Sequence, residues 1–319
     1  MRRRALLLGM AGAAAWPLAG TTQTRPAVPV IGFLSTGDVD AAGMPEVFKE
    51  AMRNLGYIDG QNVRIAFRAG DATPASLSRL AEGLVADKVD VIVAWYTPSV
   101  RAAMQATSEI PIVMAGAGDP VATRLVASLG HPGGNVTGAG SFTPELTGKN
   151  IELLRELLPD ARRLVALCNE TDSFYRVFLR QILDAASRLN FDVRTLMTTP
   201  TTLEADFPLI RLHADALIVQ PSLPLQLCAP LALAAKLPSA APTERFAGIG
   251  GLLSYAGVVS DQLRHAADYV DRILKGGKPA DLPIQLPTRF ALSINLKTAK
   301  AIGVTVPQAM LARADNVIE

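Results

Sequence analysis

Short apolar runs and amphipathic stretches alternate along almost the whole chain, and that alternation confines it to one class of fold. Runs near residues 28–35, 62–68, 89–96, 110–116 and 135–140 are too short for helices and lack a polar face, so they read as strands covered on both sides. Amphipathic segments near 45–56, 74–88, 98–108 and 121–129 separate them as helices. A second set follows at once: a helix near 144–158, strands at 163–168, 191–197 and 214–220, and helices at 173–189, 202–213 and 229–237. Such alternation requires mostly parallel sheets with helices on both faces, and two similar halves predict an α/β chain of two doubly wound lobes. The last part continues differently. A strand over Gly250 to Tyr255 leads to a helix over 261–274, with Leu263, Ala266, Ala267, Val270 and Leu274 on its apolar face, and then to a strand from Arg289 to Ile294. Pro279, Pro283 and Pro287 fix an extended connection before that strand.

In open sheets of this class ligands bind beyond the carboxyl ends of the strands, so those ends are where a site is expected. The richest is Ile110 to Gly138, where Ile110, Ile112, Val113 and Met114 give way to Gly116, Gly118 and Asp119. Asp119 sits where a helix is predicted to begin, and its carboxylate is suited either to cap that helix or to hold a ligand cation. Ser35 and Thr36 follow the first strand, and Thr97 and Ser99 flank Pro98 after the third. Hydroxyls and unpaired amides at such places suit a carboxylate. In the second half Asn169 and Glu170 end one strand, and Gln220, Pro221 and Ser222 end another. For each, the ordinary alternative is a helix cap or a turn.

No arrangement of residues suggests catalysis. Gly32, Ser35 and Gly37 miss the spacing of a nucleophile elbow, as do Gly251, Ser254 and Gly257. His131, His213 and His265 lie far apart without metal-ligand spacing, so neither a metal nor another cofactor is expected. GGNVTG at 133–138 has no phosphate-loop lysine. Arg2, Arg3 and Arg4 followed by an apolar segment to Ala15 read as a signal peptide over residues 1–25, which implies export to the periplasm. Without those three arginines the 31 basic residues fall to 28 against 29 acidic ones, and a near-neutral chain without a basic patch is not expected to bind nucleic acid. Cys168 and Cys228 have the choice of one disulfide or two buried thiols, and their apolar neighbours favour the thiols.

Several stretches in order resemble one family. They are IGFLS at 31–35, LGYIDGQNVRIAFR at 55–68, VDVIVAWYTPS at 89–99, IPIVMAGAGDPV at 110–121, GGNVTG, GGLLSY at 250–255 and KPADLPIQLPTRFALSINLKTAKAIG at 278–303. The chain is similar to extracytoplasmic solute-binding proteins of ABC importers, of the tryptophan or aromatic amino-acid-binding type. The resemblance implies a type I periplasmic binding protein, monomeric, with a ligand cleft between its lobes, that gathers a small carboxylated solute for an ABC permease in the inner membrane. It also implies three crossings between lobes, near residues 142, 257 and 287. One lobe would comprise 28–142 plus 258–286, the other 143–257 plus 287–319. Three departures bear on the ligand. Tyr96 stands where relatives carry a small residue and so is expected to fill part of the pocket or stack on a ring, Cys168-Asn169-Glu170 replaces Trp-Asn-Pro, and Ala256-Gly257-Val258 replaces Gly-Pro-Asn. An aromatic or branched amino acid or a related acid fits these features. The alternatives are an extracytoplasmic sensor built on the same lobes, or a hydrolase.

Overall fold

In the computed structural model, which describes residues 28–37, 43–140 and 144–319, two sheets form in succession. The signal peptide expected over 1–25 lies outside the described residues. Strands β1 (Val30–Thr36), β2 (Arg64–Gly70), β3 (Val91–Trp95), β4 (Ile112–Ala117) and β5 (Val136–Gly140) make a parallel sheet in the order β2-β1-β3-β4-β5. Successive residues of each strand serve opposite cores. Ile31, Phe33, Val93 and Trp95 enter one, where α1 (Met44–Asn54) lays Phe48 and Met52 on them. Leu34, Ile92 and Ala94 enter the other with Leu77, Leu84 and Val100 of α2 (Pro74–Ala86) and α3 (Tyr96–Ala106). With both faces covered, the strands need no polar alternation.

The second sheet contains β6 (Arg163–Asn169), β7 (Asp192–Thr198), β8 (Ala216–Val219), β9 (Ser239–Ala240), β10 (Leu253–Gly257), β11 (Phe290–Asn295) and β12 (Asn316–Ile318), in the order β12-β11-β10-β9-β8-β6-β7. Its pairs are parallel except β10 with β11. Leu154 and Phe178 of α4 (Pro144–Leu157) and α5 (Tyr175–Arg188) fill one core with Cys168. Phe207, Cys228 and Phe246 of α6 (Leu203–His213), α7 (Leu225–Ala234) and α8 (Arg245–Gly248) fill the other. The two cysteines therefore sit in different cores, both as free thiols, and burial pushes each up to about 12.

The strand β10 leaves the second sheet directly into α9 (Val259–Leu274), which begins two residues before the expected start and packs on the first sheet against α1, β3 and β4. Its apolar face of Leu263, Ala266, Ala267 and Val270 completes the core around Phe48 and Trp95. The Glu244 carboxylate accepts the Val259 amide at 2.7 Å and caps this helix. After a 3-10 turn at Pro279–Asp281 the proline-spaced connection runs beside β5, with Gly140 N–H donating to Gln285 O at 2.9 Å and Gln285 N–H to Gly138 O at 3.0 Å. The turn is a departure from the fully extended connection read from the three prolines. The chain ends on the second sheet with α10 (Leu296–Ile302) and α11 (Gln308–Leu311), whose Met310 is in its core. The crossing expected near 142 falls among 141–143, outside the described residues.

One expected helix is missing. Residues 121–129 form turns and bends, with Leu125 and Val126 amides both donating to Pro120 O at 2.8 and 3.2 Å. Arg124 adopts φ 57°, a left-handed conformation that stops a helix after its first turn.

Candidate functional site

Strand order reverses between β1 and β3 in the first sheet and between β6 and β8 in the second. At such a reversal the loops leave in opposite directions and open a crevice, and here the two crevices face one another. A cavity of about 250 Å³ lies between them, lined by Thr36, Asp71 and Tyr96 from the first sheet and by Ser222, Leu225 and Arg245 from the second. Thr36 and Gly37 stand at the end of β1, Asp71 and Ala72 follow β2 and Tyr96 follows β3, so the ends of three neighbouring strands form the first wall. The second-sheet wall is apolar through Pro221, Leu223, Pro224 and Leu225. A cavity just below the usual range of about 300–1,000 Å³ for ligand pockets, with mostly apolar walls and a few polar groups, suits one small solute.

Tyr96 takes φ 64° and Ala72, also in the cavity wall, φ 65°. Non-glycine residues in this region cost of order 1 kcal/mol or more, and they gather at ligand sites because the surroundings enforce them. The Tyr96 ring packs on Trp95 at 5.4 Å, and its hydroxyl lies 3.1 Å from Thr243 Oγ1 on the far side of the cleft. Between the two sheets the Phe174 ring and the backbone of Gly118 meet so closely that a Cβ on Gly118 would stand 2.6 Å from the ring.

The residues singled out in the sequence fall into three groups. Thr36, Tyr96 and Ser222 line the cavity. Ser35, Thr97, Ser99, Asn169 and Gln220 are buried in its support. Thr97 Oγ1 accepts the Gly118 amide at 3.1 Å, which fixes the end of β4. Ser99 Oγ is buried without a hydrogen-bond partner among the described residues. Asp119 Oδ1 accepts the Ala122 amide at 3.0 Å, which caps the turn that replaces the expected helix, so no helix N-terminus is present there to draw an anion. Glu170 is exposed, and its amide donates to Thr198 O at 3.0 Å.

A residue not anticipated organises the second-sheet wall. Asp172 is buried, and its Oδ2 accepts from Ser222 Oγ at 2.6 Å and Gln220 Nε2 at 2.9 Å, while Oδ1 accepts the Phe174 amide at 3.0 Å. Gln220 Oε1 in turn accepts the Asn169 amide at 2.9 Å. Burial pushes the Asp172 carboxyl up, while these donors and the Arg101 guanidinium hold it down. Asp71 was legible by the rule that exposed the other strand ends, since it directly follows β2. Arg245 lies in a segment without periodicity and carries no such signal. No cluster of metal-ligating side chains occurs among the described residues.

A model of the family described as ABC transporter substrate binding protein matches residues 27–318. A tyrosine-binding protein of Clostridioides difficile is 30% identical over 266 residues, 81% of this chain and 75% of the relative. The structure of an ABC domain in complex with L-Trp from Streptococcus pneumonia superposes with a TM-score of 0.82 at 25% identity, covering 91% of this chain and 99% of that one. A ligand-free, open substrate-binding protein from Clostridium difficile, with equal identity and coverage, superposes with a TM-score of 0.62. The two sheets share the fold of type I periplasmic binding proteins.

Proposed function

The chain belongs to the ABC transporter substrate-binding protein family, a family of solute-binding proteins and not of enzymes, and on that premise we propose that it gathers an aromatic amino acid outside the cytoplasm for an ABC permease. Two lobes, 28–142 plus 258–286 and 143–257 plus 287–319, close on the solute in the 250 Å³ cavity. Thr36, Tyr96 and Ser222 meet the solute, and Ser35, Thr97, Ser99, Asp119, Asn169 and Gln220 hold the walls that do so. Glu170 sits at the rim. The observation that carries this reading is that one cavity is walled by strand ends from both sheets, at both reversals of strand order. The named ligands of the two relatives, tyrosine and L-Trp, support an aromatic side chain against the apolar second wall. Among the described residues no helix is long and apolar enough to cross a membrane.

The test is a melting screen with L-tryptophan, L-tyrosine, L-phenylalanine, L-leucine and aromatic acids. A solute bound only by the folded form adds about 2.7 kcal/mol of stability at a hundredfold excess over its dissociation constant. We expect an aromatic amino acid to raise the melting temperature, and calorimetry to give one site. A screen with no shift at millimolar solute removes this function.

A further inference from the structure

Resting on the solute-binding reading, we propose that Arg245 anchors the solute's carboxylate and Asp71 its ammonium, so that the cleft selects zwitterionic α-amino acids and sets each one across the two lobes. Both charged groups line the same cavity, one from each sheet. Arg245 is half-buried beside Leu225 and Pro224, and its guanidinium has no hydrogen-bond or ion-pair partner among the described residues. Arg101, which does not line this cavity, donates to Thr123 O and Ser173 Oγ through one terminal nitrogen while its Nε has no partner among the described residues. A partly desolvated guanidinium against apolar walls costs free energy until an anion meets it, and its planar fork matches a carboxylate.

On the opposite wall the amide and hydroxyl of Thr73 both donate to Asp71 Oδ1, at 3.0 and 2.7 Å. They orient the carboxylate and hold it below its ordinary range, hence ionised. Oδ2 takes neither of these bonds and is the oxygen for an ammonium. Of the strand-end hydroxyls, Thr97 supports Gly118 and Ser222 donates to Asp172, and none of them carries a charge to match a zwitterion. Charge complementarity thus falls to the Asp71 and Arg245 pair.

The neighbours of Arg245 tie its position to closure. Thr243 meets the Tyr96 hydroxyl, and Glu244 caps α9, which packs on the first sheet. Arg245 therefore reaches its place opposite Asp71 when the lobes are together, and a zwitterion spanning both groups binds that form in preference to an open one.

Calorimetry on the full-length mature protein with L-tyrosine, tyramine and 3-(4-hydroxyphenyl)propionate tests this, with L-tryptophan, tryptamine and indole-3-propionate as a second series. On wild type, removing either charged group of the solute should weaken binding about ten- to hundredfold, as a lost charged hydrogen bond does. Arg245→Gln should weaken the amino acid by a similar factor and leave the amine unchanged, and Asp71→Asn should do so while leaving the propionate unchanged. Wild type that binds an amine as tightly as its amino acid, or an Arg245→Gln protein with undiminished affinity for the amino acid, overturns the assignment. The wild-type analogue series decides the question even if a variant fails to fold. Wild type that binds none of the amino acids overturns the solute-binding reading itself, which is a separate result.

Discussion

Asp215 shows how one side chain fixes where a strand begins. It stands just before β8, and its carboxylate accepts both the Arg162 and Arg163 amides at 2.9 Å, together with the Arg163 side chain, so β6 and β8 start in register. Those donors, the Arg163 guanidinium foremost, hold its carboxyl down at about 2. A folded value below the unfolded one means that the contribution is present above the unfolded value and lost as pH falls through the folded one. The gap in melting temperature between wild type and Asp215→Asn should therefore hold steady from neutral pH to about pH 5 and close as pH falls from 3.8 towards 2. No gap at neutral pH would show that the contacts contribute nothing. At this scale the strand ends were legible in the sequence, but which residues face the cleft was not. β3 runs into α3 with no loop between Trp95 and Tyr96, so Thr97 and Ser99 are already helical and turned inward. Asp172 escaped notice because its partners, Ser222 and Gln220, are about fifty residues away in sequence.

Among elements, long apolar strands and periodic helices matched their sequence patterns to within a few residues. What failed were short pieces. β9 has two residues, too few to show any period, and α8 has four. The segment after β4 has a helix-like composition, yet the backbone at Arg124 cuts it off after one turn, a conformational choice that composition does not reveal. The end of β4 also sets how nearly the sheets approach. Gly118→Ala would place a methyl group 2.6 Å from the Phe174 ring, and overpacking of this kind costs about 1–3 kcal/mol. If this contact forms only when the cleft shuts, the variant should bind solute about tenfold or more weakly while its ligand-free melting temperature stays near that of wild type. Calorimetry and melting curves measured together decide this, and wild-type affinity would mean that the contact plays no part in the bound state.

For the whole molecule, the arrangement described here superposes better on the L-Trp complex, with a TM-score of 0.82, than on an open, ligand-free relative of equal identity and coverage, with 0.62. Small-angle scattering should then give a larger radius of gyration without solute than with it, and equal radii would argue against lobe movement. The path of the chain also governs how the molecule can be made. α9 covers Phe48, Met52 and Trp95, yet it is not synthesised until the first sheet and most of the second have already appeared. Until then the first sheet exposes a bare apolar face, and contacts this distant in sequence form slowly. A chain stopped after Gly257 should accumulate as insoluble aggregate, recoverable on separate addition of the missing C-terminal segment only if that segment reaches the exposed face before another copy does. A soluble, monomeric 28–257 fragment would disprove this. The nascent chain must therefore be kept from both premature folding and self-association for most of its synthesis, and the segment after Gly257 acts as the trigger for assembly of the first sheet.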